Sequence, residues 1–372
     1  MKIEPFEMER WQSTWENEVQ YNLSESGVHP LSLEALVPQE VLEEIKALEL
    51  GYIQTNGPQE LREAICRLYT GSTKDNILVT TGSSEANFLL IWGTTEPGEE
   101  VVFMLPNYMQ MWGLLRGFGA SVKPLYLREE LDWNPDLDEL KRMVTKKTKM
   151  IVLTNPNNPT GAVLDEEARQ TIVGLAEWAG AWIVSDEVYQ GAELDGPVTP
   201  SFWGMTDRLV VTNGLSKAYG LSGLRVGWIA GPEDLIQRIW PYHDYTTICL
   251  NAMSNRLAQI ALANRERILR RTRSILSTNL PILQSWMEKQ RDLFHLVPPK
   301  AGAIAFARYN LDIPSNDLVE EIRSEKGVLL VPGKHFLMGN YLRFGYGLEK
   351  ERLITALDLI GEVLRNIKQD SL

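Results

Sequence analysis

Met150-Ile151-Val152-Leu153-Thr154-Asn155-Pro156-Asn157-Asn158-Pro159-Thr160-Gly161 is the stretch on which the fold turns. An apolar run passes straight into a cluster of Asn, Pro and Gly. A run apolar on both alternating faces suits a strand buried on both sides, and Asn-Pro ends it with a turn. Three similar runs flank it: residues 101–105 (VVFML) before Pro106, 182–185 (WIVS) before Asp186-Glu187, and 209–212 (LVVT) before Asn213-Gly214. Residues 165–180 set Leu175, Ala176, Trp178 and Ala179 among polar neighbours, as a helix requires. The alternation predicts βαβ units and a mostly parallel sheet. Residues 226–230 (VGWIA) follow the fourth run after only about a dozen positions, which is short for a helical crossover and predicts an antiparallel strand there.

Outward from this core the pattern changes. Residues 258–292 are long, charged and helical in character, and are expected to join two domains. Residues 303–307, 327–331 and 341–344 read as strands and 349–367 as a terminal helix, which makes a smaller α+β domain. The first 40 or so residues are too short to fold alone and are expected to pack on it. The expected division is a large domain over 42–265 and a small one over 1–41 plus 266–372, in keeping with a length of 372 residues.

Composition narrows the function classes. At 44% hydrophobic and 23% charged residues the chain is neither collagenous, nor disordered, nor a disulfide-stapled miniprotein. With 37 Lys and Arg against 49 Asp and Glu, the net charge of −12 repels a phosphate polymer; no long Lys/Arg-rich run occurs, and Lys146-Lys147-Thr148-Lys149 is short. No nucleic-acid partner is expected. Cys66 and Cys249 form no CxxC pair and the four histidines stand far apart, so neither a disulfide nor a metal site is expected. The N-terminal MKIEPFEMERWQ has no apolar signal core, and no stretch of about 18 apolar residues occurs. No membrane partner is expected, and a reducing cytoplasmic setting follows.

In an open parallel sheet, ligands sit at the carboxyl ends of the strands. Past those ends come Asn155 to Gly161, then Asp186-Glu187-Val188-Tyr189, then Gly214-Leu215-Ser216-Lys217. Asn155, Asp186 and Lys217 are spaced by 31 and 31 residues, close to one βαβ unit each. An amide, an acid, a phenol and a lysine therefore converge on one sheet edge. Leu78-Val79-Thr80 leads into Thr81-Gly82-Ser83-Ser84-Glu85-Ala86 and a helical stretch, a turn whose N–H groups and hydroxyls suit a phosphate. Each piece also has an ordinary reading. The Gly-Ser-Ser turn alone is a helix cap, Asp186 an N-cap, Tyr189 a half-buried tyrosine and Lys217 a solvated lysine. Order and spacing separate the two readings.

The 155–161 heptapeptide, SDEVYQ at 185–190 and LSKAYGLSGLRVGW at 215–228 together resemble the fold-type-I pyridoxal-phosphate enzymes of the class I/II aminotransferase family. GYIQTNGPQELREAI at 51–65 and YLRFGYG at 341–347 resemble the family's tyrosine-glycine segment and its C-terminal arginine strand. The resemblance implies an aspartate-aminotransferase-like α/β fold, with a large domain built on a mostly parallel sheet and a smaller α+β domain. It implies pyridoxal 5'-phosphate as cofactor and a homodimer with shared active sites.

The resemblance also implies roles. Lys217 forms a Schiff base with the cofactor aldehyde and, once displaced by substrate, moves the proton at the substrate Cα. Asp186 keeps the pyridine nitrogen protonated, so that the ring draws electrons from Cα. Tyr189 and Asn158 hydrogen-bond the ring oxygen, and Tyr108 stacks on its face. Gly82, Ser83 and Ser84 hold the phosphate with Arg225, which lies 8 residues after Lys217, and Tyr52 reaches the phosphate of the neighbouring subunit. Arg343 clamps the substrate α-carboxylate, with Asn158 and Gly27 on the same side.

Two departures from the family pattern stand out. Gly214 occupies a place where many members carry a Ser or Thr that binds phosphate, which leaves Ser216 to share that task. Asn22-Leu23-Ser24-Glu25-Ser26-Gly27-Val28-His29 replaces the usual apolar segment and resembles the corresponding stretch of capreomycidine synthase, a relative that eliminates and cyclises. His29 is then either a substrate-side acid or base, or an ordinary capping or surface histidine. His29, Arg116 and Arg308 are candidates for reading the substrate side chain. The expected activity is transfer of an amino group between an amino acid and a 2-oxo acid. The alternative is a lyase or cyclase on the same cofactor.

Overall fold

The computed structural model describes residues 2–370. Among them an eight-stranded sheet runs in the order Ile77–Thr80, Gly227–Ala230, Leu209–Gly214, Trp182–Asp186, Thr148–Thr154, Glu100–Leu105, Ser121–Arg128, Asn134–Pro135. The four apolar runs are its central strands and pair in parallel. Their alternation buries both faces. Ile151 and Leu153 enter one apolar core, while Met150 and Val152 enter the other. Helix Glu166–Ala179 starts where the Asp165 carboxylate accepts the Ala168 N–H at 2.8 Å and stops at Gly180 in the left-handed region.

Gly227–Ala230 pairs antiparallel with both of its neighbours, as its short connection predicts. That connection holds only the 3-10 turn Ser222–Leu224. The register places Thr154 opposite Asp186 and Asp186 opposite Thr212, so these strands end level with one another. Ser121–Arg128 was not anticipated; Lys123 and Pro124 interrupt its apolar pattern, as a strand near a sheet margin allows.

A second, four-stranded antiparallel sheet is ordered Phe294–Leu296, Ile304–Tyr309, Tyr341–Gly345, Val331–Pro332. The strand expected over 327–331 is split. Val328–Leu329 pairs in parallel with Tyr21–Asn22, while Val331–Pro332 joins the four-stranded sheet. The helical stretch expected over 258–292 is likewise two helices, Ala252–Ala263 and Arg265–Lys289, divided at Asn264. The N-terminal helix Glu7–Trp15 spans both regions: Trp11 Nε1 donates to the Leu330 carbonyl at 2.8 Å, and Glu9 accepts from Tyr108. Cys66 and Cys249 are free thiols. Among the described residues, no helix is long and apolar enough to cross a membrane.

Candidate active site

The level strand ends open onto one cavity. Ser83, Ser84, Asn158, Asp186, Tyr189 and Lys217 line it, together with Tyr108, Ser216 and Arg225. Asp186 ends its strand only 3% exposed. Its carboxylate accepts the Val188 N–H at 3.2 Å and the Asn87 amide at 3.4 Å. Burial outweighs these donors and the nearby Lys217, and pushes the Asp186 carboxyl up to about 6. A buried carboxyl so poorly satisfied is suited to a cationic N–H.

Lys217 follows the end of strand Leu209–Gly214, and its Nζ lies 2.8 Å from Glu25 Oε1. Burial works against the ammonium, but Glu25 and the Tyr189 phenol outweigh it and hold the Lys217 pKa above its ordinary value. The Tyr189 hydroxyl donates to Ser26 Oγ at 2.9 Å. The Tyr108 hydroxyl donates to Glu9 Oε1 at 2.9 Å, and its ring meets the edge of Phe6.

At the other end of the cavity, helix Ser83–Thr94 presents its N-terminus. Gly82 precedes it with φ +85, and a Cβ there would fall 2.5 Å from Arg225 Nη2, so the guanidinium lies against bare backbone. Arg225 itself has φ +51, a conformation that non-glycine residues adopt mainly at functional sites and tight turns. The structure also accounts for Gly214. It stands opposite Gly227 in the antiparallel pair, and a Cβ at 214 would lie 2.8 Å from the Val226 carbonyl. A Cβ at Gly227 would lie 2.3 Å from the Ser83 nitrogen. This strand pair therefore packs flush against the phosphate-type turn, with no room for a serine or threonine at 214.

Other expected residues lie elsewhere. Arg343 is 1% exposed and meets the cavity wall through Asn158 and Met8: Nη1 donates to Asn158 Oδ1 at 2.9 Å, Nη2 donates to the Ser24 carbonyl, and Nε has no partner. Gly27 packs behind Lys217, and a Cβ there would be 3.3 Å from the Ser216 carbonyl. Tyr52 is 87% exposed and does not line the cavity.

His29 lies outside the cavity lining. Its N–H donates to the Gly347 carbonyl, and its ring Nδ1 faces Arg271 Nη2 at 2.9 Å. Burial and the Arg271 charge push its pKa down. Its ring is held by Arg271, which matches the ordinary structural reading of this histidine. Arg116 and Arg308 are also absent from the lining; they pair with Glu4 and Glu129.

The sequence reading missed the opposite wall. Met8, Glu9 and Gln12 of helix Glu7–Trp15, followed by Glu16, Glu25 and Ser26, close the cavity from that side. The spacing of 9, 12 and 16 marks one helix face, but nothing local says what that face meets.

The donor set of this cavity is a lysine amine, a buried acid, a phenol, an amide and an anion-ready helix start backed by an arginine. Those are the groups that a phosphorylated pyridine aldehyde requires, so the residues fit pyridoxal phosphate and the protein is of the fold-type-I class. A model of the family described as aminotransferase class I and II matches residues 21–360. The chain is 30% identical over 347 residues to a capreomycidine synthase from Streptomyces vinaceus, covering 92% of this chain and 89% of that one. It is 32% identical over 346 residues to a probable aspartate aminotransferase from Methanocaldococcus jannaschii, covering 88% and 90%. A pyridoxal-phosphate-dependent aminotransferase from Streptococcus suis superimposes with a TM-score of 0.93 at 34% identity, covering 99% of both chains. The chain belongs to the class I and II aminotransferase family and uses pyridoxal phosphate.

Proposed function

We propose that the protein moves an amino group from an amino acid to a 2-oxo acid. When bound, pyridoxal phosphate supplies an aldehyde that joins the substrate amine and a ring that takes up the electron pair released at Cα. Lys217 supplies the amine that holds the cofactor and, once free, moves a proton at the substrate Cα. Asp186 holds the ring nitrogen as a cation. Tyr189 and Asn158 orient the ring through its oxygen, and Tyr108 covers its face. Gly82, Ser83, Ser84, Ser216 and Arg225 hold the phosphate. Arg343 orients the substrate α-carboxylate from beside Asn158. The observation that carries this reading is that Lys217 and Asp186 open onto the same cavity as Ser83, Ser84 and Arg225. Incubating the loaded protein with amino acids one at a time tests it: a stoichiometric 2-oxo acid with conversion of the cofactor to its amine form is expected.

The likeness to a capreomycidine synthase supports a second reading, a lyase or cyclase on the same site. Ammonia or a cyclised product without the amine form of the cofactor identifies it. A homodimer with shared sites is part of either reading. Leu50, Tyr52 and Tyr245 are exposed at 80%, 87% and 80%, as side chains covered by a second copy would be. Sedimentation of the loaded protein tests the dimer. The two free thiols fit a cytoplasmic setting. The proposed domains are 42–265, which holds every strand of the large sheet, and 1–41 with 266–372, which holds the four-stranded one.

A further inference from the structure

We propose that Glu25 is the counter-ion that keeps the nitrogen of Lys217 protonated once it has joined the cofactor, and so sets the pH range in which the loaded site works. This rests on the reading of Lys217 as the cofactor-binding lysine.

The geometry is specific. Glu25 Oε1 accepts three hydrogen bonds: from the Ser26 N–H at 2.8 Å, from the Gly27 N–H at 2.7 Å, and from Lys217 Nζ at 2.8 Å. The two backbone donors pin the carboxylate to its own turn, so it does not depend on Lys217 for its place. Gly27 lets that turn reach the lysine, because a Cβ there would stand 3.3 Å from both Glu25 Oε1 and the Ser216 carbonyl. A fixed anion at hydrogen-bond distance favours the protonated form of whatever nitrogen occupies the Lys217 position.

Among the surrounding groups Glu25 supports the ammonium most; Tyr189, whose hydroxyl donates to Ser26, comes after it. Asp186 is engaged by the ring nitrogen in the loaded site. Glu16 lines the cavity from the N-terminal wall, and Glu9 is bonded to Tyr108. The Arg343 guanidinium acts in the opposite direction on Lys217. Burial would favour the neutral Glu25 carboxyl, but Lys217 and the backbone donors outweigh it and hold Glu25 ionised, down to about 2. A nitrogen that stays protonated makes the carbon bonded to it more open to an incoming substrate amine, which is a reason for such a residue to stand here.

The test is a spectroscopic titration of the protein loaded with pyridoxal phosphate, following the visible band of the protonated lysine–cofactor chromophore against pH. Glu25→Gln keeps an oxygen for the Ser26 and Gly27 donors while removing the charge. Its titration midpoint is expected to fall by about one to two pH units, a 10- to 100-fold loss of proton affinity. Glu25→Asp, which keeps the charge and shortens its reach, is expected to fall by less, and it serves as the test variant if Glu25→Gln does not fold. Glu16→Gln, which removes a cavity carboxylate that feels the Lys217 charge but makes no hydrogen bond to it, is expected to lower the midpoint by clearly less than Glu25→Gln. An unmoved midpoint in Glu25→Gln overturns the proposal, and so does an equal shift in Glu16→Gln. If the chromophore survives in Lys217→Ala, the reading of the lysine itself has failed; if only Lys217→Ala loses it and Glu25→Gln titrates like wild type, Glu25 alone has failed.

Discussion

Two carboxyls face the same cavity from opposite walls in opposite states. Asp186, on the sheet wall, is pushed up to about 6 because burial outweighs two long hydrogen bonds. Glu25, on the N-terminal wall, is held down at about 2 because a lysine and two short backbone bonds outweigh burial. The sheet wall therefore stands in an unfavourable state that a bound cation relieves, which is how a site primed for chemistry differs from an ordinary ion pair. The N-terminal wall is satisfied before anything binds. The first wall fits the reacting ring, and the second fits the nitrogen that holds it.

The largest effect that separates the walls is at Lys217, which touches both. Lys217→Ala is expected to abolish the borohydride-reducible chromophore and all turnover; a reducible adduct elsewhere in the chain would break the assignment. Asp186→Ala is next. The protein is expected to bind cofactor loosely and to lose roughly 10²–10³ in kcat, the scale of one preorganised electrostatic group, and steady-state rates on saturated enzyme would measure it. Arg343→Ala follows. It removes a charge-assisted contact of about 1.5–3 kcal/mol and is expected to raise KM for α-carboxylates about 10- to 150-fold; an unchanged KM would remove Arg343 from the substrate side.

The smallest effect sharpens the contrast in stability. The ordinary Asp value is 3.8, and in the folded protein Asp186 lies near 6. The native state therefore binds more protons between roughly pH 4 and 6, and stability is lost as pH rises through that window. Asp186→Asn is expected to stabilise the cofactor-free protein at pH 8 by up to about 3 kcal/mol, seen as a higher thermal midpoint, and to change it little at pH 4. The buried Asn87 Oδ1, which has no partner, is available to accept from the new amide. Glu25→Gln is expected to show the reverse, destabilising at pH 8 and mattering least near pH 2, where the carboxyl begins to protonate. Thermal melts at the relevant pH values measure both.

The legible part of the molecule was set by local rules. Central strands announce themselves as apolar runs, and the interval from Asn155 to Asp186 to Lys217 repeats the length of a βαβ unit. The antiparallel turn of Gly227–Ala230 follows from a connection too short for a helix. What stayed hidden depends on distant partners. Glu25 meets Lys217 across 192 positions of chain. The face formed by 9, 12 and 16 has an orientation but no visible target. Gly214 read as a lost phosphate ligand until Gly227 was seen opposite it. His29 carried two readings in the sequence, and its ring contact with Arg271, 242 positions away, was not visible there.

The bond from Trp11 to Leu330 spans 319 positions, and Arg343 reaches back over a similar length to Ser24. On the ribosome, where chains emerge N-terminus first, the helix that roofs the cavity waits for Tyr108 and, much later, for Leu330 to hold it down. A chain cut short before residue 328 would carry its lysine and acid yet lack the last of the contacts that close the wall over them.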